Sequence, residues 1–197
     1  MVARIWEEME VKVPASEAWK LYGSLYLAKV VVEALPDRFS KFEVIEGDGS
    51  AGTILHIFLS PGTAGPASYK EKYTVVDDER RVKEAELVEG GFLDLGFTLY
   101  RVRGEVIEKE GKEECIVRGT IEYEVKEEAA ANAALVSIEP LRALMQAAAD
   151  YLTRTTTPTT SDADPSPSPS LYYCCSCYVS SKTLNNKNKY DDFLSKL

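Results

Sequence analysis

The sequence predicts an α+β domain in which seven antiparallel strands curl around a long C-terminal helix. Three observations lead there. One alternating segment precedes two short helical ones, six strand-like runs with turn-rich separators follow, and an Ala- and Leu-rich stretch at helical spacing comes after them.

The first strand covers about Arg4–Val13, with Ile5, Met9, Val11 and Val13 on one face and Arg4, Glu8, Glu10 and Lys12 on the other. Pro14-Ala15-Ser16-Glu17 breaks it and starts a helix. Helices follow over Ser16–Tyr22 and Leu27–Ala34, separated by Gly23-Ser24 and stopped by Pro36. The strand-like runs are Lys41–Glu46, Thr53–Leu59, Ser68–Val76, Arg81–Glu89, Phe92–Glu108 and Glu114–Lys126. Gly47-Asp48-Gly49, Pro61-Gly62, Asp77-Asp78, Gly90-Gly91 and Glu110-Gly111 punctuate them. From Ala129 to Arg154, residues such as Leu135, Leu141, Met145, Ala148 and Leu152 form an apolar stripe. Pro140 is expected to kink that helix or remove one of its hydrogen bonds.

Residues 1–154 are thus expected to form one ligand-cavity domain. Residues 155–197, opening on Thr155–Thr160 and a Ser/Pro run with Pro165, Pro167 and Pro169, are expected to be a disordered low-complexity tail. The whole net charge of −9 resides in 1–154, since the tail carries four Asp and four Lys. An acidic domain argues against nucleic acid and anionic membrane surfaces as partners. No apolar run spans a bilayer and no apolar leader follows Met1, so the expected address is cytoplasmic. Cys115 is alone in the body, and Cys174, Cys175 and Cys177 lack a fourth ligand in any zinc spacing, so no metal is expected.

The glycine-rich segment Glu46–Thr53 is flanked by strands and ends without a lysine, so it reads as a tight turn rather than a phosphate loop. His56 stands alone on its strand; it reads as a packed residue or a cavity-wall contact to ligand. The hairpin Ser68–Glu89 is the informative piece. Tyr69, Glu71 and Tyr73 alternate onto one face, and Lys83 shares its face with Ala85 and Leu87, which suggests that it points inward. A turn with an odd residue count sets Tyr73 opposite Lys83 and makes Glu71 its diagonal neighbour; an even count sets Lys83 with Lys72 instead. Spacing alone leaves a solvated Glu–Lys pair as an equal reading.

Glu46-Gly47-Asp48-Gly49, Gly52-Thr53-Ile54-Leu55, Tyr69-Lys70-Glu71-Lys72-Tyr73, Lys83, Glu89-Gly90-Gly91-Phe92-Leu93-Asp94-Leu95-Gly96 and Glu122-Tyr123-Glu124-Val125 carry a family resemblance. Over residues 4–154 the chain resembles the plant pathogenesis-related class-10 (Bet v 1-like) proteins, and within them the norcoclaurine synthase and norbelladine synthase branch. The resemblance implies a helix-grip fold enclosing an apolar cavity. It implies condensation of a phenethylamine (tyramine or dopamine) with an aromatic aldehyde through an imine, followed by Pictet–Spengler ring closure in the norcoclaurine case. Carried over by position, the catalytic residues are Lys83, Glu71 and Tyr69, with Tyr73, His56, Tyr100 and Val102 contacting substrate. Val102 stands where the norcoclaurine pattern has an aspartate, which favours the simpler norbelladine-type condensation.

In that chemistry Glu71 takes a proton from the amine, and charged Lys83 polarises the aldehyde oxygen and protonates the departing hydroxyl. Tyr69 orients the carbonyl or narrows the cavity mouth. No cofactor is required. Lys83 could instead form a Schiff base with the aldehyde, given a lowered pKa. The competing function is a non-catalytic carrier of hydrophobic ligands such as plant hormones or flavonoids, which an apolar cavity suits equally well. The acidic charge weighs against a third, a nuclease. The expected partners are a small aromatic amine and an aldehyde, with the protein a monomer or homodimer.

Overall fold

The computed structural model describes residues 1–62, 66–109 and 113–156; the expected disordered tail, with its three cysteines, lies outside these apart from Thr155 and Thr156. The elements run β1 (Ala3–Val11), α1 (Ala15–Tyr22), α2 (Tyr26–Ala34), β2 (Phe39–Glu46), β3 (Ile54–Leu59), β4 (Ser68–Asp77), β5 (Val82–Gly90), β6 (Phe97–Glu108), β7 (Cys115–Val125) and α3 (Glu139–Thr156). The seven strands form one antiparallel sheet in the order β1-β7-β6-β5-β4-β3-β2. No helix among the described residues is long and apolar enough to cross a membrane.

Alternation builds the sheet. In β1, Ile5, Met9 and Val11 turn toward the core, while Arg4, Trp6, Glu8 and Glu10 stay exposed. The outer face is laced by cross-strand ion pairs such as Arg103–Glu84 and Arg118–Glu8, each contributing little in water. Bulges bend the sheet: Ser40 and Ile45 in β2, Thr74 in β4, Val88 in β5 and Thr98 in β6 are each extra residues against their partner strand.

The helix α3 lies on β7 and β1. Gly119 makes room for it, because a Cβ there would stand 2.6 Å from the Met145 sulfur and 2.8 Å from Leu141. Val11, Val117, Ile121, Met145 and Ala148 are almost wholly buried at this contact. Tyr22 of α1 donates its hydroxyl to the Met145 carbonyl at 2.9 Å, fixing the short helices to the long one.

Two sequence expectations need correction. Phe92–Leu95 is not the start of a strand but part of a 3-10 helix over Gly91–Leu95, ended by Gly96 in the left-handed region (φ 86°). Pro140 does not kink a helix from Ala129 to Arg154. Residues Glu127–Leu135 form a separate 3-10 helix, and Pro140 lies in the first turn of α3, where its missing N–H costs nothing.

Candidate active site

Between the sheet and the two helices α2 and α3 is a cavity of about 110 Å³. Its walls are mostly apolar: Leu27, Val31 and Val32 of α2, Phe42, Leu55 and Ile57 of β2 and β3, and Leu144 of α3. The amphipathic period of α2 carries the first of these, a signal present in the sequence but not attached to the cavity there. The polar part of the lining comes from Tyr69, Glu71 and Tyr73 of β4 and from Lys41 of β2. Alternation on β4 places its three on the inner face, as expected.

Lys83 on β5 does not itself line the cavity but turns to the same face of the sheet, by a route the sequence did not show. The β4–β5 turn holds four residues between Asp77 and Val82, an even count, with Arg81 at φ 53°. By itself that turn would phase Lys83 with the outward face of β4. The bulge at Thr74 shifts the phase by one residue, so that Val76, Tyr73 and Glu71 all share a face with Lys83, Ala85 and Leu87. The expected register is therefore corrected. Tyr73 is opposite Ala85, Lys83 is opposite Val76, and Glu71 is opposite Leu87. Glu71 is no diagonal neighbour of Lys83, since four residues of β5, about 13 Å of strand, separate their positions.

The lysine spans part of that gap by leaning along the strand. Its Nζ stands 4.1 Å from the centroid of the Tyr73 ring and donates to the Ser24 carbonyl, between α1 and α2, at 3.3 Å. Glu71 and Lys83 act on each other electrostatically inside this apolar enclosure. Burial dominates both. It raises the Glu71 carboxyl to about 7, against the pull of Lys83, and lowers the Lys83 ammonium to about 8, against the pull of Glu71. Desolvation also raises the phenols of Tyr69 and Tyr73, with Glu71 adding to each, so both stay protonated as hydrogen-bond donors.

The remaining expected contacts separate. Tyr100 is buried in an aromatic cluster, stacked on Phe92 at 4.3 Å with the rings 7° from parallel, and burial raises its phenol to about 12. Val102 packs against the core between Ala85 and Ile121. Neither lines the cavity. His56 is a clearer correction. Leu55 and Ile57 point inward, so the imidazole between them must point out; its ring centre lies 4.1 Å from that of Phe58, the planes tilted by 34°, and it meets the Ser68 hydroxyl at 3.0 Å. There it borders a separate polar depression with Lys70, Glu89 and Asp94. Ser24, absent from the expected set, acts through its backbone carbonyl, which leaves no signature in residue type. Among the described residues no group of three His, Cys, Asp or Glu side chains stands close enough to hold a metal ion.

Known structures share this arrangement of sheet and helices. Norbelladine synthase from Narcissus pseudonarcissus is 42% identical over 152 residues, covering 77% of this chain and 93% of that protein. A norcoclaurine synthase point mutant from Thalictrum flavum, solved in complex with a transition-state analogue, superposes with a TM-score of 0.73 at 37% identity, covering 80% of this chain and 98% of that one. The Thalictrum flavum norcoclaurine synthase in complex with dopamine and hydroxybenzaldehyde superposes with a TM-score of 0.71 at 36% identity, covering 80% and 90%. With residues 1–154 matching its family pattern, the chain belongs to the pathogenesis-related protein Bet v 1 family.

Proposed function

We propose that this chain is an alkaloid-forming synthase that condenses a phenethylamine with an aromatic aldehyde through an imine, Glu71 acting as base and Lys83 as acid. The observation that carries the reading is the pair itself. A carboxyl held near 7 lines the apolar cavity, an ammonium held near 8 lies against the ring of Tyr73 from the same wall, the two act on each other electrostatically, and a passive carrier needs neither. Similarity to norbelladine synthase and to a norcoclaurine synthase that binds dopamine and hydroxybenzaldehyde supports the substrate class.

The amine enters as an ammonium, with an ordinary pKa of about 10, and must lose a proton before it attacks. Glu71 at about 7 is a weak acceptor for so basic a group. The cavity that desolvates Lys83 desolvates the substrate ammonium as well, and lowers its pKa in the same direction. The nitrogen lone pair then forms the C–N bond. The carbonyl π electrons move to oxygen, and the Lys83 ammonium donates a proton there to give the carbinolamine. The now neutral Lys83 amine takes the excess proton from the carbinolamine nitrogen, which restores the nitrogen lone pair and the ammonium; a second proton, returned from Glu71, lets the hydroxyl leave as water while that lone pair closes the C=N bond. Tyr69, a protonated phenol on the same wall, donates to the carbonyl oxygen and orients it. Val102 offers no acid or base for ring closure, which places the reaction nearer the norbelladine type than the Pictet–Spengler type. The substrates act on a monomer or homodimer in the cytoplasm. Two aromatic rings need more than the 110 Å³ present, roughly 300 Å³ for small-ligand sites, so the cavity must widen on binding.

The test is direct. Tyramine or dopamine is mixed with hydroxylated benzaldehydes and phenylacetaldehydes, and product is followed for the wild type, Glu71→Gln and Lys83→Gln. Loss of turnover in both variants is expected. Turnover unchanged in either removes that residue from the mechanism, and saturable binding without turnover in the wild type makes the chain a carrier. Borohydride trapping that yields an adduct on Lys83 would replace its acid role with Schiff-base catalysis.

A further inference from the structure

We infer that the Tyr73 ring and the Ser24 carbonyl form a cradle that positions the Lys83 ammonium, which makes Tyr73 a positioning residue for the acid and not only cavity wall. The functional consequence rests on the reading of Lys83 as proton donor; the cradle itself does not.

An ammonium has three N–H donors and no acceptor, and inside an apolar enclosure each direction needs negative potential. The Ser24 carbonyl accepts one N–H at 3.3 Å. The face of the Tyr73 ring, 4.1 Å from Nζ, supplies the second. Glu71 acts through space along β4. Among the described residues Lys41 of β2 is the other charged side chain lining the cavity, and Glu71 alone acts electrostatically on Lys83: β6 brings Gly104 opposite Lys83, the α1–α2 turn brings its carbonyl, and the Tyr22 hydroxyl of α1 is engaged with Met145. Without the ring, one side of the ammonium would face the greasy cavity alone.

Both halves of the cradle are held from outside. The Tyr73 backbone is fixed by the glycine-rich turn after β2: its N–H donates to the Thr53 carbonyl at 2.8 Å and its carbonyl accepts from Gly52 N–H at 2.7 Å. Only 4% of Tyr73 is exposed. The Ser24 carbonyl follows a turn closed by two bonds to the Leu21 carbonyl, from Ser24 N–H at 3.1 Å and from its hydroxyl at 2.9 Å. The α1 helix is tied to the lysine's own hairpin, since the Trp19 indole donates to Asp78 in the β4–β5 turn at 2.8 Å. Gly23 permits this, because a Cβ there would come within 2.7 Å of the Trp19 ring. The donor of the lysine and its two acceptors therefore sit on segments that brace one another.

The phenol oxygen has no part in this, which separates the variants. The lysines are labelled at Cε and Nζ, and Lys83 is titrated by NMR, its resonance identified by its loss in Lys83→Gln. Tyr73→Leu is expected to lower the Lys83 midpoint by about 0.5–1 pH unit, three- to tenfold in proton affinity, whereas Tyr73→Phe leaves it within about 0.2 unit. Tyr73→Met, unbranched and without a π face, serves if Tyr73→Leu does not fold, and is expected to match it. A wild-type midpoint in the folded Leu or Met variant would overturn the cradle, as would a shift in Tyr73→Phe equal to theirs. The alkaline limb of kcat/KM should move with the midpoint. Absence of turnover in the wild type would defeat the synthase reading while the titration still decides the cradle.

Discussion

Replacing Glu71 by glutamine should strengthen the fold while removing turnover. Burial raises the Glu71 carboxyl from 4.5 to about 7 even with Lys83 beside it, so the folded protein prefers the neutral acid. The sign follows from that preference. A group whose folded pKa lies above its unfolded value favours folding below about 4.5, loses that contribution as pH rises toward 7, and leaves the fold weakest above 7. The difference between 7 and 4.5 is equivalent to about 3 kcal/mol. Glutamine copies the neutral acid in size and never ionises. Lys83 loses its counter-charge in the variant, but can shed its proton, because its pKa falls further below about 8. At pH 8, Glu71→Gln is therefore expected to gain about 1–3 kcal/mol, or a Tm about 3–9 °C higher for a domain of this size. At pH 4 the gain should vanish. Turnover should fall by about 10²–10⁴ with the base removed. Urea titrations of both proteins between pH 4 and 9 measure the difference. A variant less stable than wild type at pH 8, or a difference independent of pH, would mean that the carboxylate is ionised and content, facing water or held firmly by Lys83, and the desolvation reasoning would fail.

The kcat/KM profile should be bell-shaped with its maximum between about 7 and 8, because Glu71 must be ionised and Lys83 charged; the two limbs belong to the pair as a unit, and a flat profile across pH 6–9 would contradict it. Gly119→Ala forces a Cβ against Met145 and Leu141 and should cost about 1–3 kcal/mol in chemical denaturation, lifting α3 off β7. His56→Ala removes a side chain on the outer face of the sheet, so turnover should stay within about twofold of wild type, as expected for a surface change remote from the reacting groups.

The strands were legible wherever one face meets the core and the other meets water. β1 alternates residue by residue, and its buried positions follow from the sequence alone. The 3-10 helix Gly91–Leu95 was not legible, because Phe92-Leu93-Asp94-Leu95 alternates well enough to pass for strand. Only the left-handed glycines on either side, Gly90 at φ 71° and Gly96 at φ 86°, reveal that the chain turns there. Pro140 misled for a related reason. A proline inside an apolar helical period signals a kink or a start, and the pattern reads alike for both until Glu127–Leu135 is seen to be a separate segment.

Alternation gave the facing of the hairpin side chains, whereas the register found is neither of the two that turn length allowed, and one residue explains the difference. Turn length is a local property, and the four-residue turn after Asp77 by itself would have turned Lys83 away from Glu71. Thr74 undoes this by standing unpaired in β4 and shifting every residue before it by one. A bulge of this kind has no residue signature; it persists because the inward set Tyr69, Glu71 and Tyr73 lines the cavity while Leu87, on the same face of β5 as Lys83, is buried in the core. The core, not the turn, sets the phase. His56 fails as a site residue by the same logic in reverse, since β3 has no bulge against β4 to rotate it inward between Leu55 and Ile57. Facing is thus conserved by burial even where register drifts. That is why the shared facing of the Glu71 carboxyl and the Lys83 ammonium does not depend on the alignment of the two strands that carry them, while the distance between them does.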